Sequence, residues 1–561
     1  MLEQLFPEKF FGLSDERPQR LGVVVGGSLD EGLVIKLDKQ VVIEGVTVGS
    51  YVTITGQTGR KFFGMITNVA LESAKKAQMI SLNVENEKLA EIYRGTLAHG
   101  ALYVKPLLVV DANKREPQPV RSVPNHFTVA YYSTADEMAL VFPQEDDSYV
   151  IGESLDNPGI QVRISLRKLV ERSTAVFGRS GTGKTFLTLP LLAHVIKQDL
   201  ASVLIFDMHN DYGYTLKGDE NKKFKGLKQL GAIGHKVVIA TLDMESSQRR
   251  GSGASFELQI GYDQIEPDDI KMLQKEFTLS DVQVNALDSL HREFRKDWFS
   301  KLLSEEVDEK VEALFEKDKL KVGTFNAMQR KLQARFHKFD FVRERVASDA
   351  VEQILGHLQR GNSVVIEFGR YGANPVAYLF VANVLTRRIH QRYVEMKEIA
   401  EGGRGEEPRQ LVIVIEEAHK FLQTSMAQLT IFGTIARELR KYNVTLLIVD
   451  QRPSQIDSEV MSQIGTRITC ALSDERDINA VLIGMSESNQ LRGVLASLES
   501  KQQALVMGHA VRTPVVVRTA EYGEAVYQQF ATPEDGLSPA ERAKLNQAKL
   551  GRREPQETDL V

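Results

Sequence analysis

Residues 178–185 read Gly178-Arg179-Ser180-Gly181-Thr182-Gly183-Lys184-Thr185. The spacing fits G-x-x-x-x-G-K-(S/T), the phosphate-binding P-loop. Glycines let the backbone bend so that successive N–H groups line a concave nest for phosphate oxygens. A lysine at position 184 reaches the β- and γ-phosphates, and a hydroxyl at 185 ligates Mg²⁺. The flanks agree with this reading. Ser173 to Phe177 reads as a short buried strand, and Phe186 to Ile196 carries apolar residues at helical spacing. Phosphates would then sit on a helix N-terminus. Gly178 to Phe186 is expected to hold a nucleoside triphosphate.

At 561 residues the chain has room for roughly two to four domains. Apolar residues make up 42% and charged residues 26%, as in globular proteins, which excludes fibrous and wholly disordered classes. The net charge of −5 does not mark a nucleic-acid binder. Any such surface must be a local concentration of Lys and Arg. The one cysteine, Cys470, excludes an intramolecular disulfide and a Cys-based zinc site. Its apolar setting, Ile468 to Leu472, points to packing. With no signal-peptide pattern and no apolar run of about 18 residues, the expected location is cytoplasmic, without a membrane.

Residues 1–150 carry short β-rich runs separated by glycine-bearing turns, among them Leu33 to Leu37, Tyr51 to Thr55, Phe62 to Val69 and Ala101 to Val110. This spacing suggests a small barrel or sandwich, read as an assembly or docking domain. From residue 151 to about 530 strands alternate with helices, the sign of a parallel sheet with crossover helices. Residues of about 262–360 interrupt that rhythm with a charged, helical pattern and read as an inserted bundle. Residues 531–561 form a polar tail, with a helical stretch at 539–550. The fold class is therefore α/β: a P-loop core with an inserted helical bundle, preceded by a small β-barrel or sandwich.

Several strand ends carry candidate chemistry. Ser202 to Phe206 runs into Asp207, His209 and Asp211, a tip that either holds a metal or orders its own loop. The lysines from Lys217 to Lys228 form either a solvated loop or a phosphate-contacting one. Leu411 to Ile415 runs into Glu416-Glu417, the pattern of a Walker B strand. One carboxylate organises Mg²⁺ and its waters, while the other orients and polarises the attacking water. The apolar strand Val444 to Val449 leads to Gln451, whose amide is placed to sense a γ-phosphate. Met426 to Tyr442 reads as an amphipathic helix with Leu429, Phe432, Ile435, Ala436 and Leu439 on one face. Arg437, Arg440 and Lys441 lie off that face, and phosphoryl transfer gains from an arginine supplied by a neighbour.

Taken together, 177–185, 206–212, 413–421, 435–456 and 506–517 resemble the HerA family of ring-shaped DNA-translocating ATPases, in the HerA/FtsK group. The resemblance implies an N-terminal HAS barrel, a RecA-like core, ATP and Mg²⁺ as cofactors, and a homohexamer that moves double-stranded DNA through its channel. By position, Glu417 resembles the catalytic glutamate and Glu416, with Thr185, the Mg²⁺-organising pair. Gln451 resembles the sensor, Arg440 an arginine finger acting in trans with Arg437 as its substitute, and Arg172 a second arginine acting in cis. The chain departs from the family pattern at Glu416, where Asp is usual, at Asp211, where Glu is usual, and at Leu439, where glycine is common. Relatives work with a nuclease in DNA end resection, or beside a nuclease or a sirtuin-like NADase in antiphage operons. The resemblance thus implies an effector partner docking on the barrel. A hexameric scaffold that uses ATP to gate an effector, with little translocation, is the alternative.

Overall fold

The computed structural model describes residues 19–73, 98–111, 114–155, 159–218, 222–304, 311, 321–438, 441–485 and 488–532. Arg440 and the tail at 533–561, including its expected helix, lie outside the described residues.

Seven strands come first: β1 (Arg20–Ser28), β2 (Gly32–Leu37), β3 (Tyr51–Thr55), β4 (Lys61–Ser73), β5 (Ala98–Asp111), β6 (Lys114–Pro119) and β7 (Val129–Tyr132). Their antiparallel order is β2-β1-β7-β3-β4-β5-β6, and an extra β2–β5 pairing closes six of them into a barrel. Closure needs sharp coiling, and the long β4–β5 ladder supplies it through register shifts at Phe63/Gly64 and Ile66/Asn68. Leu21, Ile35, Val52, Ile54, Ile66 and Leu102 fill the interior.

The large sheet begins with β8 (Ser148–Ser154) and β9 (Gln161–Ser165), so the change of sheet falls between Tyr132 and Ser148. It continues with β10 (Thr174–Phe177) and β11 (Ser202–Asp207). A two-residue hairpin follows, β12 (Leu216–Lys217) with β13 (Lys223–Phe224), and then β14 (Val237–Thr241) and β15 (Phe256–Glu257). β16 (Ile260–Gly261) and β17 (Val342–Arg343) pair with each other apart from the sheet. The sheet is completed by β18 (Ser363–Glu367), β19 (Leu411–Glu416), β20 (Val444–Asp450), β21 (Thr466–Cys470), β22 (Gln503–Gly508) and β23 (Val515–Thr519). Its order is β15-β14-β18-β11-β19-β20-β10-β21-β22-β23-β8-β9. From β15 to β21 the pairings are parallel, and beyond β21 they are antiparallel. Every residue of β10, β11 and β19 is buried, as expected where helices cover both faces of a parallel sheet.

The helices that matter below are α1 (Lys184–Lys197), α2 (Asp281–Phe294), α3 (Val322–Phe336), α4 (Ala350–Gln359), α5 (Pro375–Glu401) and α6 (Ile431–Glu438). α2 and α3 belong to the insertion, whose core is aromatic: Trp298, Phe299, Phe325 and Phe336 are all buried. The Trp298 Nε1 donates to the Ile265 carbonyl at 2.8 Å. Phe336 packs on Phe380 of α5 with ring centroids 5.2 Å apart, which joins the insertion to the sheet's covering helices. No helix among the described residues is long and apolar enough to cross a membrane.

The amphipathic helix expected from Met426 to Tyr442 is shorter. Its regular part is α6, and residues 423–430 are turns. Tertiary partners set its start: Asn383 Oδ1 accepts the Ile431 N–H at 3.2 Å, and Thr430 Oγ1 donates to the Phe421 carbonyl. Leu429, expected on the apolar face, therefore sits in a turn and is exposed, whereas Phe432, Ile435 and Ala436 are buried as expected.

Candidate nucleotide site

Parallel strands bring their carboxyl ends to one edge. Phe177 pairs with Asp450 and Thr469, Glu416 with Val449, and Asp207 with Glu367. Open α/β sheets place their ligand sites there.

The P-loop leaves β10 at this edge and enters α1. Gly178, Gly181 and Gly183 have φ of 157°, 79° and 87°, the region that side-chain-bearing residues rarely adopt. At Gly178 a Cβ would also lie 2.6 Å from Thr182 Oγ1 and 2.8 Å from the Cys470 Cβ. The loop is tied to both flanking strands, since Gly178 N donates to the Asp450 carbonyl (3.3 Å) and Arg179 N to the Ala471 carbonyl (3.1 Å). Lys184 Nζ donates to the carbonyls of Gly178 (2.8 Å) and Arg179 (3.1 Å), which spans the hollow where phosphate belongs. Burial lowers its pKa, while the carboxylates of Glu417, Asp450 and Glu416 pull the other way. Phe186, the last of the expected nucleotide-binding residues, packs against Phe224 of the hairpin and Tyr522, with centroids 4.7 and 6.0 Å away.

Opposite the loop stands a group of carboxylates. Glu416 is buried, and burial together with Asp207 and Asp211 pushes its pKa up to about 8. Its Oε1 accepts from Tyr212 Oη at 3.2 Å, while Oε2 is buried without a partner. Asp211 is pushed up to about 6, first by burial and then by Asp207. An orphaned carboxylate oxygen among mutually repelling acids suits a hard divalent cation, so Glu416 fits Mg²⁺. Asp207 itself orders its loop by accepting the backbone N–H groups of Asp211, Tyr212 and Gly213 at 2.8–3.2 Å. Among the described residues no cluster of three His, Cys, Asp or Glu side chains is arranged to hold a metal by itself.

Glu417 takes a left-handed φ of 48°, which turns it out of the strand line that Glu416 keeps. Such strain in a residue other than glycine persists only where the surroundings hold it. Gln451 Nε2 donates to Glu417 Oε1 at 2.9 Å, so the two residues expected as sensor and base are in direct contact. His419 lies 3.6 Å from Glu417 and is fixed by Asp450, whose Oδ2 meets both the His419 N–H (2.7 Å) and Nδ1 (2.9 Å).

Sequence reasoning missed four residues here: Tyr212, Tyr378, His419 and Asp450. Tyr378 Oη donates to the Glu416 carbonyl (2.9 Å) and accepts the Glu416 N–H (3.1 Å), so it pins the strand end from α5. Tyr212, His419 and Asp450 lie inside or beside the strand-tip motifs, where a polar residue next to buried carboxylates is itself a signal. Tyr378 has none, because it falls within the apolar pattern of a buried helix.

Two arginines stand elsewhere. Arg172 precedes β10 at the amino end of the strand, roughly 20 Å of extended chain from Gly178 at ~3.3 Å per residue. Its side chain lies along Gly465. The expectation that Arg172 acts in cis is therefore corrected: it is at the wrong end of its own strand. Arg437 turns onto its own chain, donating to the Ala427 carbonyl (3.2 Å) and pairing with Glu459 (3.3 Å).

Residues 149–389 match the family model described as helicase HerA, central domain, and residues 21–109 match the HAS barrel domain. The DNA double-strand break repair helicase HerA of Pyrococcus furiosus is 23% identical over 509 residues, covering 85% of this chain and 88% of that protein. The protein of the same name from Saccharolobus solfataricus is 23% identical over 506 residues, covering 89% and 91%. The solved plasmid coupling protein TrwB, bound to a GTP analogue, aligns at 11% identity over 70% of this chain and 95% of that one, with a TM-score of 0.44. With a barrel and a P-loop core in the same order, the chain belongs to the HerA helicase family and is an ATP hydrolase.

Proposed function

We propose that this chain forms a homohexameric ring that hydrolyses ATP to translocate along or unwind double-stranded DNA. It acts with a partner nuclease or other effector in DNA end processing or antiphage defence. One observation carries the ring. Among the described residues no arginine makes a hydrogen bond or ion pair with Asp207, Asp211, Glu416 or Glu417, and Lys184 is the cation of the P-loop itself. Phosphoryl transfer in such a site lacks its second positive charge until a neighbouring subunit supplies one. The duplex-DNA substrate is supported by the similarity to DNA double-strand break repair helicases, about nine-tenths of whose length is matched.

The chain's own groups divide the work. Loop N–H groups and Lys184 bind the phosphates once the lysine leaves the carbonyls of Gly178 and Arg179. Thr185 and Glu416 would hold Mg²⁺, which would supply neutralisation of phosphate charge. Glu417 orients and polarises the attacking water, and Gln451, hydrogen-bonded to it, follows the γ-phosphate. Tyr378 fixes the strand end on which both glutamates ride. Arg440 is the finger offered across the subunit boundary, with Arg437 as its substitute. The barrel is the docking face for the effector, and it carries Phe127, 75% exposed at a φ of 63°.

The test is displacement of a third strand from a triplex by full-length rings with ATP. The account expects ATP-dependent displacement that disappears in Glu417→Gln. Intact ATP turnover with no displacement, with or without the partner, would instead assign the chain as an ATP-gated scaffold.

A further inference from the structure

The sheet edge does not use the helical insertion, one segment of which is basic although the insertion as a whole is not. Residues 321–345 contain seven Lys and Arg against two acids, Asp340 and Glu344, for a net +5 in a chain whose total is −5. α3 itself contains Arg330, Lys331 and Arg335 and no Asp or Glu. Phe325, Met328, Leu332 and Phe336 form its buried stripe. At 3.6 residues per turn, Arg330 and Arg335 fall outside that stripe, Lys331 is half-buried and donates to the Thr278 carbonyl, and Lys338 follows two residues past the helix. Arg330, Arg335, Lys338, Arg343 and Arg345 are exposed. Both acids of the segment are engaged: Asp340 pairs with Arg370, and Glu344 accepts from Ser300 Oγ at 3.2 Å. Among the described residues, none of those five exposed cations has an ion pair. The helix dipole favours cations in the last turn of α3. It does not account for Arg330, nor for Arg343 and Arg345 beyond the helix.

These cations are mounted on packed structure. Phe336 meets Phe339 and Phe380 at 5.8 and 5.2 Å, and Phe341 meets Tyr371 at 4.9 Å. Like charges held at fixed spacing and in excess of acids repel one another until a polyanion neutralises them. We propose that this basic face of the insertion, outside the ATPase site, contacts the backbone phosphates of double-stranded DNA. The proposal rests on the DNA-motor reading and names the surface that would grip the duplex. An acidic protein surface is the rival partner.

The test measures binding of a short fluorescent duplex to full-length rings across a salt series. Two variants are compared with wild type: Arg330→Gln/Arg335→Gln/Lys338→Gln, and Arg343→Gln/Arg345→Gln on a separate element. Each lost phosphate contact lowers the log–log salt slope by about 0.9. The triple is therefore expected to lose about 3 in slope and roughly ten-fold or more in affinity, and the double about 2 in slope. Turnover of ATP without DNA stays at the wild-type rate in both. Unchanged affinity and slope in both variants, beside steep wild-type binding, overturns this surface alone and leaves an acidic protein as its partner. Wild-type rings that bind no duplex at any salt overturn the motor reading and this proposal with it.

Discussion

At the scale of single residues, the two adjacent glutamates make separable predictions. Glu417→Gln keeps the volume and loses the charge, so it should bind ATP normally and turn it over ~10²–10⁴-fold more slowly, the usual worth of a positioned base. Slow turnover in Glu416→Gln beside near-normal Glu417→Gln would reverse the two roles. Glu416 should also titrate within an accessible pH range. Its folded pKa of about 8 lies above the unfolded value near ~4.3, so the folded chain carries an extra proton between the two. Stability should therefore fall as pH rises through that window, and melting temperatures of Glu416→Gln should fall less steeply than those of wild type. Binding of Mg²⁺ with ATP must expel the same proton. Calorimetry near neutral pH in buffers of different ionisation heat should detect its release, and a heat independent of buffer would contradict the assignment. Glu416, Glu417 and Gln451 were legible because each follows an apolar strand run. Tyr378 was not, since one hydroxyl inside a buried helix has no sequence signal until the fold brings it to Glu416.

At the scale of elements, the P-loop and its neighbours carry the nucleotide. Lys184→Ala removes the loop's mobile cation and should abolish tight ATP binding in a folded chain, whereas unchanged affinity would refute the loop assignment. Arg440→Ala should assemble and bind ATP but hydrolyse it poorly, by about 10³-fold or more where a finger is lost. Mixing Arg440→Ala with Lys184→Ala subunits creates some interfaces with both parts intact, so turnover should partly return. Mixed rings with no return would place Arg440 in cis or in a structural role. The strands around this site were legible nearly to the residue, because buried parallel strands read as continuous apolar runs. α6 was not: the 3.6-residue pattern runs on through 426–430, but Asn383 and Thr430 start the helix only at Ile431. Arg172 misled for a similar reason, since nearness in sequence to a P-loop strand says nothing about which end of that strand a side chain occupies.

At the scale of the whole molecule, a closed barrel precedes a sheet with its candidate hydrolytic groups on one edge and a helical insertion with one basic segment, 321–345. The order barrel, core, insertion, core was readable from the change of period along the chain. The pairing of β8 and β9 with the large sheet was not, because strand alternation alone does not say which sheet a strand joins. The proposed response of ATP turnover to duplex DNA held by a ring is the centre of the mechanism. It is tested most directly by measuring ATP turnover by full-length protein against increasing duplex concentration, beside Glu417→Gln. The wild-type rate should rise several-fold and saturate with DNA, and the variant's should stay near zero. A wild-type rate indifferent to DNA at every concentration and salt would contradict the mechanism.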